Sequence, residues 1–269
     1  MTLAICFQPG PARATEVEDL ATVPFAQLVQ REVVSASALV RQISDSPSAV
    51  AIVTAEDIRA YGYRSIADVI NSMRGLYTTS DRRYEYMGGR GFGSPGDYTG
   101  RIMVLIDGYV TQDSLFNQAY IDESGLLDLA LVERVEYVPG TGSVTYGNNA
   151  MLGIINIVTR KGGSLNALQL STEAGSHDAY RQRVSYGKRF ENGADVLLSA
   201  STYDAAGQNL YFPAYDTPAN NGGWANGIDG ERNQRFFGKF SYEGLVVEAG
   251  YVDRKKTVPT KATEFSVFN

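Results

Sequence analysis

Two glycine clusters have the spacing of loops that bind nucleotide phosphates. Gly91-Phe-Gly93-Ser-Pro-Gly96 matches G-x-G-x-x-G, but that motif binds a pyrophosphate only between a strand and a helix. Here Pro95 interrupts the cluster, and the predicted strand 101–106 follows it. The second cluster, 140–147, lacks the Lys-Ser/Thr pair that ends a phosphate-binding loop. We interpret both clusters as tight turns, in which glycine adopts positive φ without strain.

Other residue types that carry chemistry are sparse. His177 is the only histidine, and no further ligands are spaced around it as a metal site requires. The sequence also lacks a nucleophile elbow and a candidate general base. We therefore predict no catalytic residue, no metal site and no cofactor. A secreted α/β enzyme remains the alternative from a different functional class.

Composition and charge indicate a turn-rich β protein. The 269 residues are 43% hydrophobic and include 28 Gly and 17 Tyr. Enrichment in tyrosine and glycine is typical of outer-membrane barrels, although any extracellular β protein would fit composition alone. The net charge of −6 argues against nucleic acid as a partner. No run of 18 apolar residues predicts a transmembrane helix.

Residues 1–14 are similar to the end of a secretory signal peptide. An apolar run, 1–7, precedes Ala12-Arg13-Ala14, which fits an A-x-A cleavage site, although the usual positive start is missing. Cleavage after Ala14 would remove Cys6, the single cysteine. The mature chain would then hold neither a disulfide nor a thiol site.

Helix and strand signals divide the chain at about Gly163. Before it, Thr54 and Ser65 each begin a capping-box pattern, and apolar residues then recur at helical spacing up to Gly62 and Gly75. Three β-branched runs, near 101–106, 132–138 and 153–159, predict a small mixed sheet.

After Gly163 apolar residues alternate with period two. Short turns at 191–193 and 243–244 alternate with a long loop, 205–231, and about five strands fit before Asn269. This pattern is typical of outer-membrane barrels, although a soluble β-sandwich also alternates in this way.

Several ordered motifs resemble those of the plug domain of TonB-dependent outer-membrane receptors. They are Ile106-Asp107-Gly108, Glu133-Arg134-Val135-Glu136, Tyr146-Gly147, Asn149-Ala150 and Ile155-Asn156-Ile157-Val158-Thr159-Arg160-Lys161. One departure is Val138-Pro139-Gly140-Thr141, where the family often has Arg-Gly-Pro, so any ion pair of that arginine is lost here.

The resemblance implies an α+β plug domain, a small mixed sheet with short helices, followed by antiparallel β-strands of an incomplete transmembrane β-barrel. We expect a signal-peptide remnant at 1–14, an N-terminal extension with a TonB box at 15–37, a plug at 38–162 and barrel strands at 163–269. A barrel that holds such a plug needs about 22 strands, so we expect a C-terminally truncated fragment.

The resemblance also implies three sets of functional residues. The TonB box, a strand offered to a periplasmic partner, is Glu32, Val33, Val34, Ser35 and Ala36. Arg90 and Arg134 are candidates to lock the plug to carboxylates of the barrel wall. Outward plug loops would bind cargo, and the candidate residues there are Arg82, Arg83, Tyr84, Tyr86, Tyr98, Gln112, Asp113, Phe116 and Asn117.

The function implied is energy-dependent uptake of a large, scarce solute through the outer membrane, with the plug facing the periplasm. A ferric siderophore is the cargo expected first, because arginine and tyrosine suit an anionic, aromatic chelate. Cobalamin, another metal chelate or an oligosaccharide remain alternatives. The implied partners are the TonB energy-coupling protein with ExbB–ExbD and outer-membrane lipid.

Overall fold

The computed structural model describes residues 50–94, 96–97, 101–140 and 149–259, and the backbone of two short segments before them. Those segments are β1 (Glu32–Val33) and β2 (Arg41–Gln42), which pair antiparallel. Within the described ranges, no helix has the length and apolar character needed to cross a membrane.

The first folded unit is built on a five-stranded sheet. Its strands are β3 (Ala51–Thr54), β6 (Ile102–Ile106), β7 (Tyr109–Val110), β8 (Val132–Pro139) and β9 (Gly153–Thr159). Their order is β3-β8-β9-β6-β7, in which β6 and β9 run parallel and the other neighbours run antiparallel. The predicted mixed sheet is confirmed.

Two short helices follow β3, and both begin with the predicted capping box. They are α1 (Ala55–Tyr61) and α2 (Ile66–Ser72). The Thr54 hydroxyl accepts from the Asp57 amide at 3.2 Å, and the Asp57 carboxylate accepts from the Thr54 amide at 2.8 Å. Gly62 ends α1 in the left-handed conformation that glycine adopts without a Cβ clash. The second helix ends at Ser72 rather than at Gly75, which lies in the turn that follows.

A β-hairpin extends from this unit. β4 (Leu76–Ser80) pairs antiparallel with β5 (Glu85–Gly89), and residues 81–84 connect the two strands. The polar loop 81–84 therefore lies at the end of a regular antiparallel pair, and the register of the two strands sets its position.

The core lies between the two helices and one face of the mixed sheet. Ile70, Val135 and Ile155 are fully buried there, and each such side chain contributes about 1.5–3 kcal/mol relative to an exposed one. The same apolar cluster includes Leu197 and Phe237 from the strands that follow. The two units of the chain therefore share part of their apolar packing.

The second unit is an antiparallel sheet of five long strands. They are β10 (Ala167–Gly175), β11 (Ala179–Arg189), β12 (Asp195–Ala205), β15 (Glu231–Tyr242) and β16 (Leu245–Lys256), paired in that order. The loop between β12 and β15 holds two short strands and two 3-10 helices, namely β13 (Leu210–Tyr211), β14 (Trp224–Ala225), Pro213–Tyr215 and Pro218–Gly223. The five strands, the two tight turns and the long loop lie where the sequence pattern predicts them.

The two faces of this sheet differ in character. Large apolar side chains stand on the outer face, where Leu170 is 77% exposed. The inner face is buried against the first unit and carries Ser185, Asn233 and Arg235. Apolar outside and polar inside is the alternation found in membrane barrels, and it is the reverse of a soluble sandwich.

A glycine pair joins the two units. A single-turn helix, α3 (Gly162–Leu165), lies just before β10. The amides of Gly162 and Gly163 donate to the two carboxylate oxygens of Asp195 at 2.6 and 2.8 Å. A Cβ at Gly162 would collide with the Val196 carbonyl oxygen, so only glycine permits this close approach.

Candidate functional site

The hairpin loop 81–84 is built around one carboxylate. One oxygen of Asp81 accepts from the Arg83 and Tyr84 amides, both at 2.8 Å, and the other accepts from the Tyr86 hydroxyl at 2.8 Å. Burial alone would raise the pKa of Asp81, but the hydrogen bonds from Tyr84, Tyr86 and Arg83 outweigh burial and hold that pKa below its usual value. The loop is therefore preorganised by an ionised Asp81.

An aromatic ring flanked by two guanidinium groups lies beside this loop. The Arg83 guanidinium is 5.2 Å from the centroid of the Tyr84 ring, and that of Arg254 is 6.0 Å from it. The Tyr120 ring centroid lies 6.3 Å from that of Tyr84. These four side chains line a cavity of about 630 Å³ that also contacts Leu126. Such a surface offers charge, hydrogen bonds and ring faces together.

The same loop is tied to the second unit by an ion pair. Arg82 lies 3.1 Å from the carboxylate of Asp229, at the end of the long loop between β12 and β15. That carboxylate also accepts from the Gln208 amide at 3.1 Å and from Lys256 at 3.2 Å. Asp229 therefore joins the hairpin loop, the long loop and β16.

The second predicted ligand loop, 112–117, is organised by Asp113. Its carboxylate accepts from the amides of Phe116 at 2.7 Å, Leu115 at 2.9 Å and Gln118 at 3.1 Å. The Phe116 bond contributes most to lowering the pKa of Asp113 below its usual value. Phe116 itself is half exposed. Asp113 therefore shapes the loop, while Phe116 is presented on its surface.

The predicted ligand residues divide into exposed and structural groups. Arg82, Arg83 and Tyr84 lie together, and Tyr84 contacts Tyr120, which leads back toward the second loop. Tyr86 is only 4% exposed and supports Asp81 from below. The remaining positions are Gln112, whose amide donates to the Ile102 carbonyl, Asn117, which accepts from Asn149, and Tyr98, which lies outside the described residues.

Sequence reasoning missed Tyr120, Asp229 and Arg254. Arg254 belongs to the alternating pattern of a strand, and Asp229 lies at the end of a polar loop. Neither position carries a local signal. Only the tertiary fold brings them to the hairpin loop, across 147 residues for Arg82 and Asp229 and 171 residues for Arg83 and Arg254.

Ion pairs hold the first unit against the inner face of the strands. Glu123 pairs with Arg181 at 2.5 Å and with Arg235 at 2.9 Å, and it accepts from Asn233 at 2.6 Å. Asp128 pairs with Arg183 at 3.0 Å and also caps the 3-10 helix Leu129–Leu131. The segment from Glu123 to Asp128 therefore bonds to both β11 and β15.

Two further carboxylates of the first unit extend these contacts. Asp122 lies 3.3 Å from Arg254 on β16, and Asp107 lies 2.8 Å from Lys239 on β15. In each pair the acid belongs to the first unit and the base to a strand. This is opposite in sign to the locking expected of Arg90 and Arg134.

The two arginines predicted to lock the plug have other surroundings here. Arg134 lies 2.8 Å from the buried Glu136 and 3.1 Å from Glu133, both on its own strand. Arg90 has positive φ, and its amide donates to the Gly75 carbonyl. Its side chain is exposed. Locking by these two arginines remains a prediction.

Acid is expected to loosen the contact between the units. Burial would raise the pKa values of Glu123 and Asp128, but nearby arginines, and for Asp128 also the Ala130 amide, hold both below the ordinary 4.5 and 3.8. A lowered pKa contributes stability that is full above the ordinary value and is lost as pH falls through the folded-state pKa. The melting temperature of the purified protein, followed from pH 6 to pH 3, is expected to fall. Glu123→Gln is expected to flatten that profile, and an unchanged slope would contradict this origin.

In the part of the chain that the structure describes, histidine, cysteine and carboxylate side chains form no group suited to a metal ion. The hairpin loop presents guanidinium charge and ring faces.

Comparison with known proteins finds a matching domain family and two related outer-membrane proteins. Residues 42–154 match the model of the TonB-dependent Receptor Plug Domain family. The iron-regulated outer membrane virulence protein of Vibrio cholerae is 31% identical over 133 residues, which are 48% of this chain and 20% of that protein. The vitamin B12 transporter BtuB of Vibrio vulnificus is 22% identical over 213 residues, which are 78% of this chain and 33% of the transporter.

A solved structure shares the fold. FpvA of Pseudomonas aeruginosa, in its complex with iron and a heterologous pyoverdine, matches with a TM-score of 0.62 at 19% identity, over 83% of this chain and 27% of that receptor. The chain spans between a fifth and a third of the length of the curated relatives cited above. Plug motifs, mixed sheet and antiparallel strands agree with these matches, and residues 42–154 form a plug domain of the TonB-dependent receptor type.

Proposed function

We propose that the receptor containing this chain imports a ferric siderophore, or a chelate of similar charge and aromatic character, across the outer membrane. The observation that carries this proposal is the Tyr84 ring, flanked by Arg83 and Arg254 and contacted by Tyr120. An anionic chelate with aromatic arms would meet guanidinium charge and ring faces at one place.

The relatives support this class of cargo. FpvA binds a ferric pyoverdine, and the Vibrio cholerae relative is named as iron-regulated. The cavity of about 630 Å³ would hold one arm of a chelate, with the rest of the molecule above the hairpin loop. The family consists of receptors and transporters, so binding and release, rather than a reaction, would be the task of this site.

Cobalamin is a second candidate, because the match to the vitamin B12 transporter covers 78% of this chain. The two cargoes differ in how far their binding depends on charge. Replacing arginine by glutamine would weaken an anionic chelate strongly and a corrinoid with little net charge weakly. Binding of ferric pyoverdine, ferric enterobactin and cyanocobalamin to the full-length receptor would separate them, and an oligosaccharide would remain if none bound.

Energy for release would come from the inner membrane through TonB with ExbB–ExbD. The proposed contact is the TonB box, Glu32 to Ala36, of which the structure describes only the backbone of β1. The outward apolar face of β10 to β16 would contact outer-membrane lipid, and the plug would face the periplasm.

Replacement of Arg83 by alanine is expected to weaken cargo binding by about tenfold or more, the loss that follows removal of one hydrogen bond to a charged group. The measurement is equilibrium binding of the ferric chelate to whole cells and to purified receptor. Arg74→Ala is the matched control, because Arg74 is exposed at the end of α2, away from this loop. Unchanged affinity in Arg83→Ala would remove this residue from the site.

The role of Arg82 must be tested with two variants, because Arg82 already pairs with Asp229. If Arg82 acts by holding the long loop, Asp229→Asn is expected to weaken binding at least as much as Arg82→Ala, because Asp229 also pairs with Lys256. If Arg82 contacts cargo, Arg82→Ala is expected to weaken binding more than Asp229→Asn does. No effect of either change would exclude both roles.

A further inference from the structure

The cavity of about 630 Å³ beside the hairpin loop holds one carboxylate in a cationic lining. Arg83, Arg254 and Lys256 line this cavity, and Asp122 is the one acidic side chain among the described residues around it. The Asp122 side chain is only 9% exposed. An anionic arm of a cargo molecule that enters the cavity would therefore meet a buried negative charge, which opposes its binding.

Arg254 is the cationic partner of this carboxylate and has two other acceptors. Its Nε pairs with Glu231 on the neighbouring strand at 2.5 Å, and its Nη1 donates to the Arg83 carbonyl at 2.8 Å. The same Nη1 lies 3.3 Å from Oδ2 of Asp122. The contact with Asp122 is the longest of the three. An incoming anion can therefore replace Asp122 while the other two contacts keep the Arg254 guanidinium in place.

Asp122 is also held in the cavity by its own domain. Its Oδ1 accepts from the Ser124 amide at 2.8 Å, and its Oδ2 accepts from the Glu85 amide at 3.4 Å, at the start of β5. These bonds do not depend on Arg254. Asp122 is therefore a fixed acceptor beside the guanidinium that an anionic cargo would use.

We propose that Asp122 is an internal competitor of the cargo for the Arg254 guanidinium and that it sets the affinity and charge selectivity of the site. This inference rests on the proposed function, in which an anionic chelate binds beside Tyr84. An anionic oxygen of the chelate replaces Asp122 on Nη1 of Arg254, and Asp122 keeps the Ser124 and Glu85 amides. A neutral solute cannot replace the lost ion pair with an equal contact, so the competition selects for anionic arms.

Equilibrium binding of ferric enterobactin and ferric pyoverdine to the purified full-length receptor tests this role. Asp122→Asn removes the negative charge and keeps an oxygen for the Ser124 amide. It is expected to tighten binding of the chelate by about tenfold, the fold-change for one hydrogen bond to a charged group. A merely structural role of Asp122 predicts the opposite sign, because loss of its contacts would loosen the site.

Glu133→Gln is the matched control. Glu133 belongs to the same domain and also pairs with an arginine, but it lines a different cavity. Its replacement removes the same charge and is expected to leave the affinity unchanged. Direct competition also predicts that Asp122→Asn gives no gain in a receptor that already carries Arg254→Gln, because the guanidinium for which Asp122 competes is then absent.

Unchanged or weaker binding in Asp122→Asn, or an equal gain in the Arg254→Gln background, would overturn this inference alone, since the wild-type receptor would still bind the chelate. Failure of the wild-type receptor to bind either chelate would overturn the proposed function and this inference together. If Asp122→Asn does not fold, Asp122→Ser also removes the charge and is expected to tighten binding. An unchanged affinity in Asp122→Ser would then contradict the competition.

Discussion

Deletion of residues 32–36 from the full-length receptor is expected to abolish energy-dependent uptake and to leave cargo binding at the cell surface unchanged. Binding would use the outward hairpin loop, whereas uptake would need a mechanical link to TonB. The outer membrane has no nucleotide supply, so without that link the plug receives no energy. The measurement is accumulation of labelled ferric chelate in energised cells, beside binding in cells that lack a proton gradient.

The structure offers a physical reason for this expectation. β1 pairs with β2 over only two positions, Glu32 with Gln42 and Val33 with Arg41. A ladder this short has little independent stability in water. A partner sheet that supplied a longer ladder could displace it by β-addition, since an unpaired strand offers a row of backbone donors and acceptors.

A single substitution separates backbone pairing from the identity of the side chain. Val34→Pro removes one backbone donor and is expected to reduce uptake nearly as far as the deletion does. Val34→Ala keeps the donor and is expected to retain most uptake. Uptake that survives the deletion would show that the box lies elsewhere, and equal loss in both Val34 variants would contradict pairing through the backbone.

Local signals predicted the local structure well. Thr54 and Ser65 are helix caps because a hydroxyl and a carboxylate three residues later satisfy the first amides, and that requirement is visible in four residues. The strands of the plug were visible as β-branched runs, and those of the second sheet as alternation. Both patterns follow from which side chains a strand must bury.

The contacts between the units could not be predicted in this way. Arg181 and Arg235 occupy polar positions in alternating strands, where a buried arginine and a solvated one look alike. Glu123 lies in a loop with no periodic pattern. The contact of Glu123 with Arg181 and Arg235 depends on strand register and on the packing of the two units, which are non-local properties. For the same reason the acid-on-plug sign of the pairs made by Glu123, Asp128, Asp122 and Asp107 was not predicted.

Tyr86 illustrates a related difficulty within a single loop. In sequence it belongs to the same Tyr- and Arg-rich stretch as Tyr84, so both were predicted to contact cargo. Tyr84 lies in the connection 81–84, whereas Tyr86 lies in β5 and is buried, with its hydroxyl on Asp81. Composition could not separate the two tyrosines, because only the hydrogen bond to Asp81 shows that Tyr86 supports the loop from inside.

Replacement of Glu123 by glutamine is expected to release the plug segment around it from the strands. Removal of one partner of a buried ion pair costs about 3–5 kcal/mol, because the groups left behind stay buried without a counter-charge. Here Arg235, whose side chain is only 5% exposed, loses its carboxylate partner, and Arg181, 15% exposed, keeps only the longer contact to Asp128 at 3.7 Å. Hydrogen–deuterium exchange of the amides of residues 118–131 is expected to accelerate by about a hundredfold or more, at 1.36 kcal/mol per factor of ten.

Glu133→Gln is the matched control for this prediction. Glu133 belongs to the same domain and also pairs with an arginine, but its side chain is 43% exposed and Arg134 keeps Glu136. An exposed pair contributes about 1 kcal/mol at most, so exchange is expected to change by only a few-fold. Adding Arg181→Gln to Glu123→Gln should cost less than the two single changes together, because each removes the same interaction. Wild-type exchange in Glu123→Gln, or strictly additive effects in the double variant, would show that this ion pair does not hold the plug to the strands.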